Sequence, residues 1–136
     1  MSTAPASLRM VEVSGTEALW LLEGSTLGRL VYVQREAAIV RPAWHVWEYG
    51  RLIVRTPIQA AAVPPTATYQ VDEIGAATGK GWTVTATGPA DALTDSNEIA
   101  HYRRRLAGWA RGPHDTIVRI HPQTVTGFRL TRGTEN

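Results

Sequence analysis

His45 stands between Trp44 and Trp47 in a β-type stretch, where an imidazole could donate or accept hydrogen bonds toward a ligand. A structural histidine with its bonds satisfied inside the fold accounts for the same residues. Five tryptophans, at positions 20, 44, 47, 82 and 109, exceed what a small core needs, so some of them should reach an interface or a ligand. Trp20 and Trp109 read as helix packing. Trp44 and Trp82 read as contacts for a flat aromatic cofactor, with burial in a core as the competing account. The run Gly75 to Gly81 brings Lys80 among three glycines, where backbone amides and one cation could approach an anion. It has three residues between Gly75 and Gly79 where a nucleotide phosphate loop needs four, and Gly81 stands where that loop has Ser or Thr, so a flexible hairpin link is the better reading.

Other chemistries drop out. The chain has no cysteine, which excludes disulfides, thiolate metal sites and thiol catalysis and leaves redox chemistry to a borrowed cofactor. The serines lie near the N-terminus, at helix starts or in a turn, with no nucleophile elbow. His45, His101, His114 and His121 lack metal-ligand spacing, and no metal is expected. Arg103, Arg104 and Arg105 are consecutive in a helix and so spread around its circumference, which suits a solvated face better than a nucleic-acid stripe. A net charge of +2 adds little to that case. The longest apolar run is Ala18 to Leu22 and residues 1 to 10 lack a signal-peptide core, so the expectation is a soluble, cytoplasmic protein with no membrane partner.

The elements that must hold these residues follow from periodicity. The 136 residues, 43% of them hydrophobic, suffice for one domain, here residues 14–136 behind an N-terminal arm, 1–13. Ser14 and Glu17 have capping-box spacing for a short helix to about Glu23, with Ala18, Leu21 and Leu22 inward and Gly24 ending it in a left-handed conformation. From Gly28 the pattern alternates, and strands are predicted through Val33 and over 38–46, 51–56, 66–74, 82–93, 116–121 and 124–130. Glu48, Tyr49 and Gly50 make a hairpin turn, and 57–63 one or two helical turns before Pro64 and Pro65. Asp95 and Glu98 open a second helix carrying Ile99, Tyr102, Leu106 and Trp109 on one face. The sum is a mainly β protein with helices, arranged as a small barrel.

The order of short motifs resembles the pyridoxamine 5′-phosphate oxidase-like proteins. The matching pieces are Gly28-Arg29-Leu30, Pro42 to His45, Val54-Arg55-Thr56, Val71 to Ile74, Gly81-Trp82-Thr83-Val84 with Gly88, Val118 to Pro122 and Val125-Thr126-Gly127. The resemblance implies a six-stranded split barrel, a homodimer, and FMN or a deazaflavin coenzyme bound between subunits to act on a small-molecule substrate. It implies that Arg55 and Thr56 hold the cofactor phosphate, that Pro42, Ala43, Trp44 and His45 line the ring system, and that Gly81 and Trp82, next to the Lys80 cation, approach the same groove. Relatives continue after Arg-Thr with a Gly-Ser-Lys element. This chain has Pro57-Ile58-Gln59-Ala60, leaving Gln59 as the polar group there, and a missing charge-assisted contact weakens binding by about 1.5 to 3 kcal/mol. The alternative is a non-catalytic split-barrel dimer that has lost flavin and binds another small ligand or a protein.

Overall fold

The computed structural model describes residues 7–108 and 114–132. Strand β1 (Leu8–Glu12) leads into helix α1 (Gly15–Glu23), followed by β2 (Leu27–Gln34), β3 (Ala37–Glu48) and β4 (Arg51–Pro57). A single 3-10 turn at Ala60–Ala62 precedes β5 (Thr66–Ile74) and β6 (Gly81–Ala92). Helix α2 (Ser96–Arg105), β7 (Asp115–Ile120) and β8 (Thr124–Arg132) complete the order.

Every pairing is antiparallel, and six strands close in the order β6-β5-β2-β3-β4-β7 and back to β6. This is the split barrel that the motif order implies. Closure depends on β6 serving two neighbours on one side. Its residues 81–87 pair with β8 and its residues 90–92 with β7. The handover falls at Gly88 and Pro89. Proline donates no ladder hydrogen bond, and a Cβ on Gly88 would lie 2.0 Å from the His121 carbonyl oxygen.

Residues expected to be an arm form β1, paired with β8 from Leu8↔Arg132 to Glu12↔Phe128. All five are exposed, so main-chain pairing holds the strand and it leaves no apolar alternation in the sequence. Ser14 caps α1 by accepting from the Glu17 amide at 3.1 Å, but the Glu17 carboxylate bonds Arg129 on β8 instead of closing the capping box. Gly24 ends the helix at φ −80° without the left-handed conformation. The Glu48–Arg51 turn is as predicted, Tyr49 and Gly50 both having positive φ as a two-residue hairpin requires.

Ala18, Leu21 and Leu22 join the barrel interior, which holds Leu30, Leu52, Val54, Tyr69, Val84 and Val118 among others. A second cluster of Ile53, Leu93, Tyr102 and Ile117 lies outside the barrel beneath α2. Strand β4 is therefore covered on both faces, and each of residues 52–56 is buried. Trp109, expected on the buried face of the second helix, lies outside the described residues.

Candidate functional site

Strands β3 and β4 carry most of the predicted site residues, and their register decides which way each faces. Trp44 stands opposite Arg55, and His45 opposite Val54, a barrel-core residue. Side chains alternate between faces, so Trp44 and Arg55 point outward toward α2 while Ala43, His45 and Thr56 point inward.

His45 is 2% exposed, with its ring turned into the core. Nε2 lies 3.1 Å from the Leu22 carbonyl at the end of α1, an acceptor only, so this nitrogen carries the proton. Nδ1 then accepts from the Tyr69 hydroxyl at 2.7 Å. The Ser25 hydroxyl, 3.2 Å from Nε2, donates to the same Leu22 carbonyl. Burial pushes the His45 pKa below its ordinary value, opposed in part by the Leu22 bond, and burial pushes the Tyr69 phenol up. Both groups are neutral. The role of facing a ligand, expected of His45, is thus replaced by stapling α1 to the barrel. Gly28 makes this possible, since a Cβ there would sit 2.5 Å from the Tyr69 ring.

Arg55 is likewise committed. Its Nε and Nη2 donate to the two carboxylate oxygens of Asp115 at 3.0 and 2.7 Å, and its Nη1 donates to the carbonyls of Arg103 and Leu106 at 3.3 and 2.9 Å. The Asp115 hydrogen bonds hold the guanidinium pKa above its ordinary value. Thr56 is fully buried and donates to the Pro42 carbonyl at 3.0 Å. The pair expected to hold a phosphate instead ties the C-terminal end of α2 to β4 and β7. On a strand covered on both sides, a charged side chain needs such partners.

Trp44 packs against the chain just after α2, where a Cβ on Gly108 would lie 2.8 Å from the indole. Beside it opens a cavity of about 300 Å³ lined by Ser25, Thr26, Trp44, Trp47, Arg105 and Leu106, with the edge of His45 also reaching it. This is at the small end for an organic ligand. Arg105, on its wall, is paired with Glu48. Pro42 is exposed and Ala43 is core.

Gln59 lines a different cavity of about 230 Å³ at the barrel mouth, together with Tyr32, Gln34, Arg41, Ile58 and His114. Arg41 is half-buried there, and its guanidinium donates to the neighbouring Val40 carbonyl at 3.1 Å. Among the described residues it has no carboxylate partner, unlike Arg29, Arg55, Arg105, Arg119 and Arg129. Sequence reasoning passed over Arg41 because the want of a partner is a property of the folded chain alone.

Within one chain the remaining candidates lie elsewhere. Lys80 sits in the β5–β6 turn, its amide donating to Thr78 Oγ1 at 3.1 Å. Gly81, at φ 153°, presses on the Glu73 backbone, where a Cβ would stand 1.8 Å from the carbonyl oxygen. Trp82 lines a third cavity with Trp20, which is 66% exposed and not packed as a helix residue was expected to be.

A family model described as pyridoxamine 5′-phosphate oxidase matches residues 14–129. The chain belongs to the pyridoxamine 5′-phosphate oxidase family. A curated family relative, an uncharacterised protein of Mycobacterium tuberculosis, is 34% identical over 93% of this chain and 90% of its own length. Among solved structures, an FAD-binding protein from Mesorhizobium loti superimposes with a TM-score of 0.72 at 19% identity, covering 93% of this chain and 100% of that one. Another FAD-binding protein, from Mycobacterium smegmatis, gives 0.63 at 23% identity over 91% and 99% of the two chains. These likenesses establish the split-barrel fold in a family whose structural neighbours include flavin proteins.

A flavin fits this chain only in part. The Arg55–Thr56 anchor is spent on the protein's own groups, whereas the Arg41–Gln59 cavity offers an unmatched cation with amide donors beside it.

Proposed function

We propose that this protein binds a flavin with its phosphate at Arg41 and Gln59, as a homodimer acting on a small-molecule substrate in the cytoplasm. The observation that carries this reading is the half-buried Arg41 with no acidic partner among the described residues, in a cavity that also holds Gln59 and His114. Arg41 stands opposite the core residue Leu30 in the β2–β3 ladder, so its cavity lies on the inward side of β3 and not on the side that Trp44 faces. Bound there, a flavin supplies two-electron chemistry, and the protein's part is to hold the tail, orient the ring and exclude water. FMN is the first candidate. The deazaflavin coenzyme, with its longer acidic tail, is the variant.

Titration with FMN, FAD and the deazaflavin, followed by flavin absorbance and fluorescence, tests this. Arg41→Ala should weaken binding about tenfold, the value of one charge-assisted hydrogen bond at the lower end of its range. The complementary control, Arg55→Ala, should leave affinity within about twofold in whatever fraction stays folded. An Arg41→Ala variant that binds like the parent would sink the assignment. A second reading, a non-catalytic split-barrel dimer without flavin, is favoured by the Arg55–Asp115 bond, and a protein whose spectrum no flavin changes would select it.

A further inference from the structure

A cavity of about 450 Å³ lies apart from the two described above, although Glu23 also stands on the rim of the one beside Trp44. It is built from two pairs. Trp20 and Glu23 lie three residues apart on one face of α1, and Glu73 and Trp82 face each other directly across the β5–β6 ladder. Each wall thus contributes one indole and one carboxylate, with Leu21 and Gly24 between them. No cationic side chain among the described residues lines it. Among the described residues neither Glu23 nor Glu73 forms an ion pair or a side-chain hydrogen bond, whereas Glu17, Glu48, Asp72, Asp91 and Asp115 all pair with arginine. In a chain of net charge +2 and thirteen arginines, this is an acidic recess left unneutralised.

The Trp20 ring is two-thirds exposed although Leu21 and Leu22 beside it are buried. Leaving that apolar area in water is unfavourable, and a guest covering it gains by the same amount. An anion is disfavoured by the two carboxylates, and a neutral ring would leave them unused. Indole faces attract a cation through the ring quadrupole, and carboxylates hold it by charge, so the combination suits one kind of guest.

We propose that the recess between α1 and the β5–β6 hairpin is a binding site for a small organic ammonium ion, caged by Trp20 and Trp82 and neutralised by Glu23 and Glu73. The site does not depend on flavin binding, and flavin-free protein serves to test it.

Calorimetric titration with benzyltrimethylammonium chloride should give a dissociation constant on the order of 0.1–1 mM, weakening as salt is raised. Benzoate and benzyl alcohol at the same concentrations should give no heat of binding. Trp20→Ala should weaken the ammonium about fivefold, and the double variant Glu23→Gln with Glu73→Gln about tenfold. All three substituted residues lie at the surface of the recess, so the variants should melt with the parent, which separates lost binding from lost fold. Benzyl alcohol binding as well as the ammonium would reduce the recess to an apolar crevice. Unchanged affinity in the double glutamine variant, no heat up to about 10 mM ligand, or ammonium titration that dissociates a preformed dimer, showing a second chain's side chain in the recess, would each overturn the proposal.

Discussion

Removing the Arg55 guanidinium takes two hydrogen bonds from the Asp115 carboxylate and one from each of two carbonyls at the α2 end. Breaking a buried, hydrogen-bonded pair in this way costs about 3 kcal/mol or more, so Arg55→Ala should lower the melting temperature by several degrees, measured by calorimetry or circular dichroism. An unchanged melt would return Arg55 to the pool of ligand groups. His45 carries a prediction about pH. Its folded pKa is depressed by burial, so the unfolded chain takes up the proton first as the pH falls below about 6.5. Stability present above that value is then lost progressively toward the lowered folded value. The parent should lose more stability between about pH 7 and pH 5 than a His45→Gln variant does. Equal slopes in the two denaturation series would show that the imidazole is not held neutral. Only the Arg55 role was partly legible in the sequence. The unbroken apolar run Leu52-Ile53-Val54 is the mark of a strand covered on both faces, which implies that the next residue, Arg55, must find partners inside. Nothing local distinguishes an inward His45 from an outward one, because Trp44, Trp47 and Val46 make both faces of β3 apolar.

At the scale of elements, the closed ring exists because β6 changes neighbour at Gly88. With its would-be Cβ 2.0 Å from the His121 carbonyl oxygen, Gly88→Ala must push the β6–β7 junction apart. The expected cost is about 2 kcal/mol or more, read from urea unfolding, with the loss of amide protection centred on residues 88–92 and 120–123. Alternation located β2 to β8 within a few residues because each has at least one core face. It missed β1, whose every side chain faces solvent, and it missed the Arg35–Glu36 turn, where two ordinary residues adopt positive φ without the glycine or asparagine that signals it.

Over the whole molecule, the outward faces of β2 and β3 bring Leu27, Val33 and Val40 to the surface at 55, 72 and 47% exposure, and Val31 stands opposite Val40 in the ladder. An apolar strip of this kind on a sheet face suits a self-complementary contact. Light scattering coupled to size exclusion should therefore give twice the chain mass for the parent, and the chain mass for a Val33→Arg, Val40→Glu double variant. A parent already at the chain mass would remove the homodimer from the functional reading. The family and the barrel were legible from the order of motifs, since each is anchored by a local glycine, proline or charge pattern. The candidate anion cavity was not, because it gathers residues 32, 34, 41, 59 and 114 from four separate stretches of chain.

The pairing of residues 8–12 with 128–132 also sets a timetable for assembly. A chain emerging from the ribosome carries β1 with no neighbour until β8 is made. The first half of β6 waits for the same segment. The edge of β1, and that of β6 once it is made, therefore stay bare until β8 arrives and seals both together.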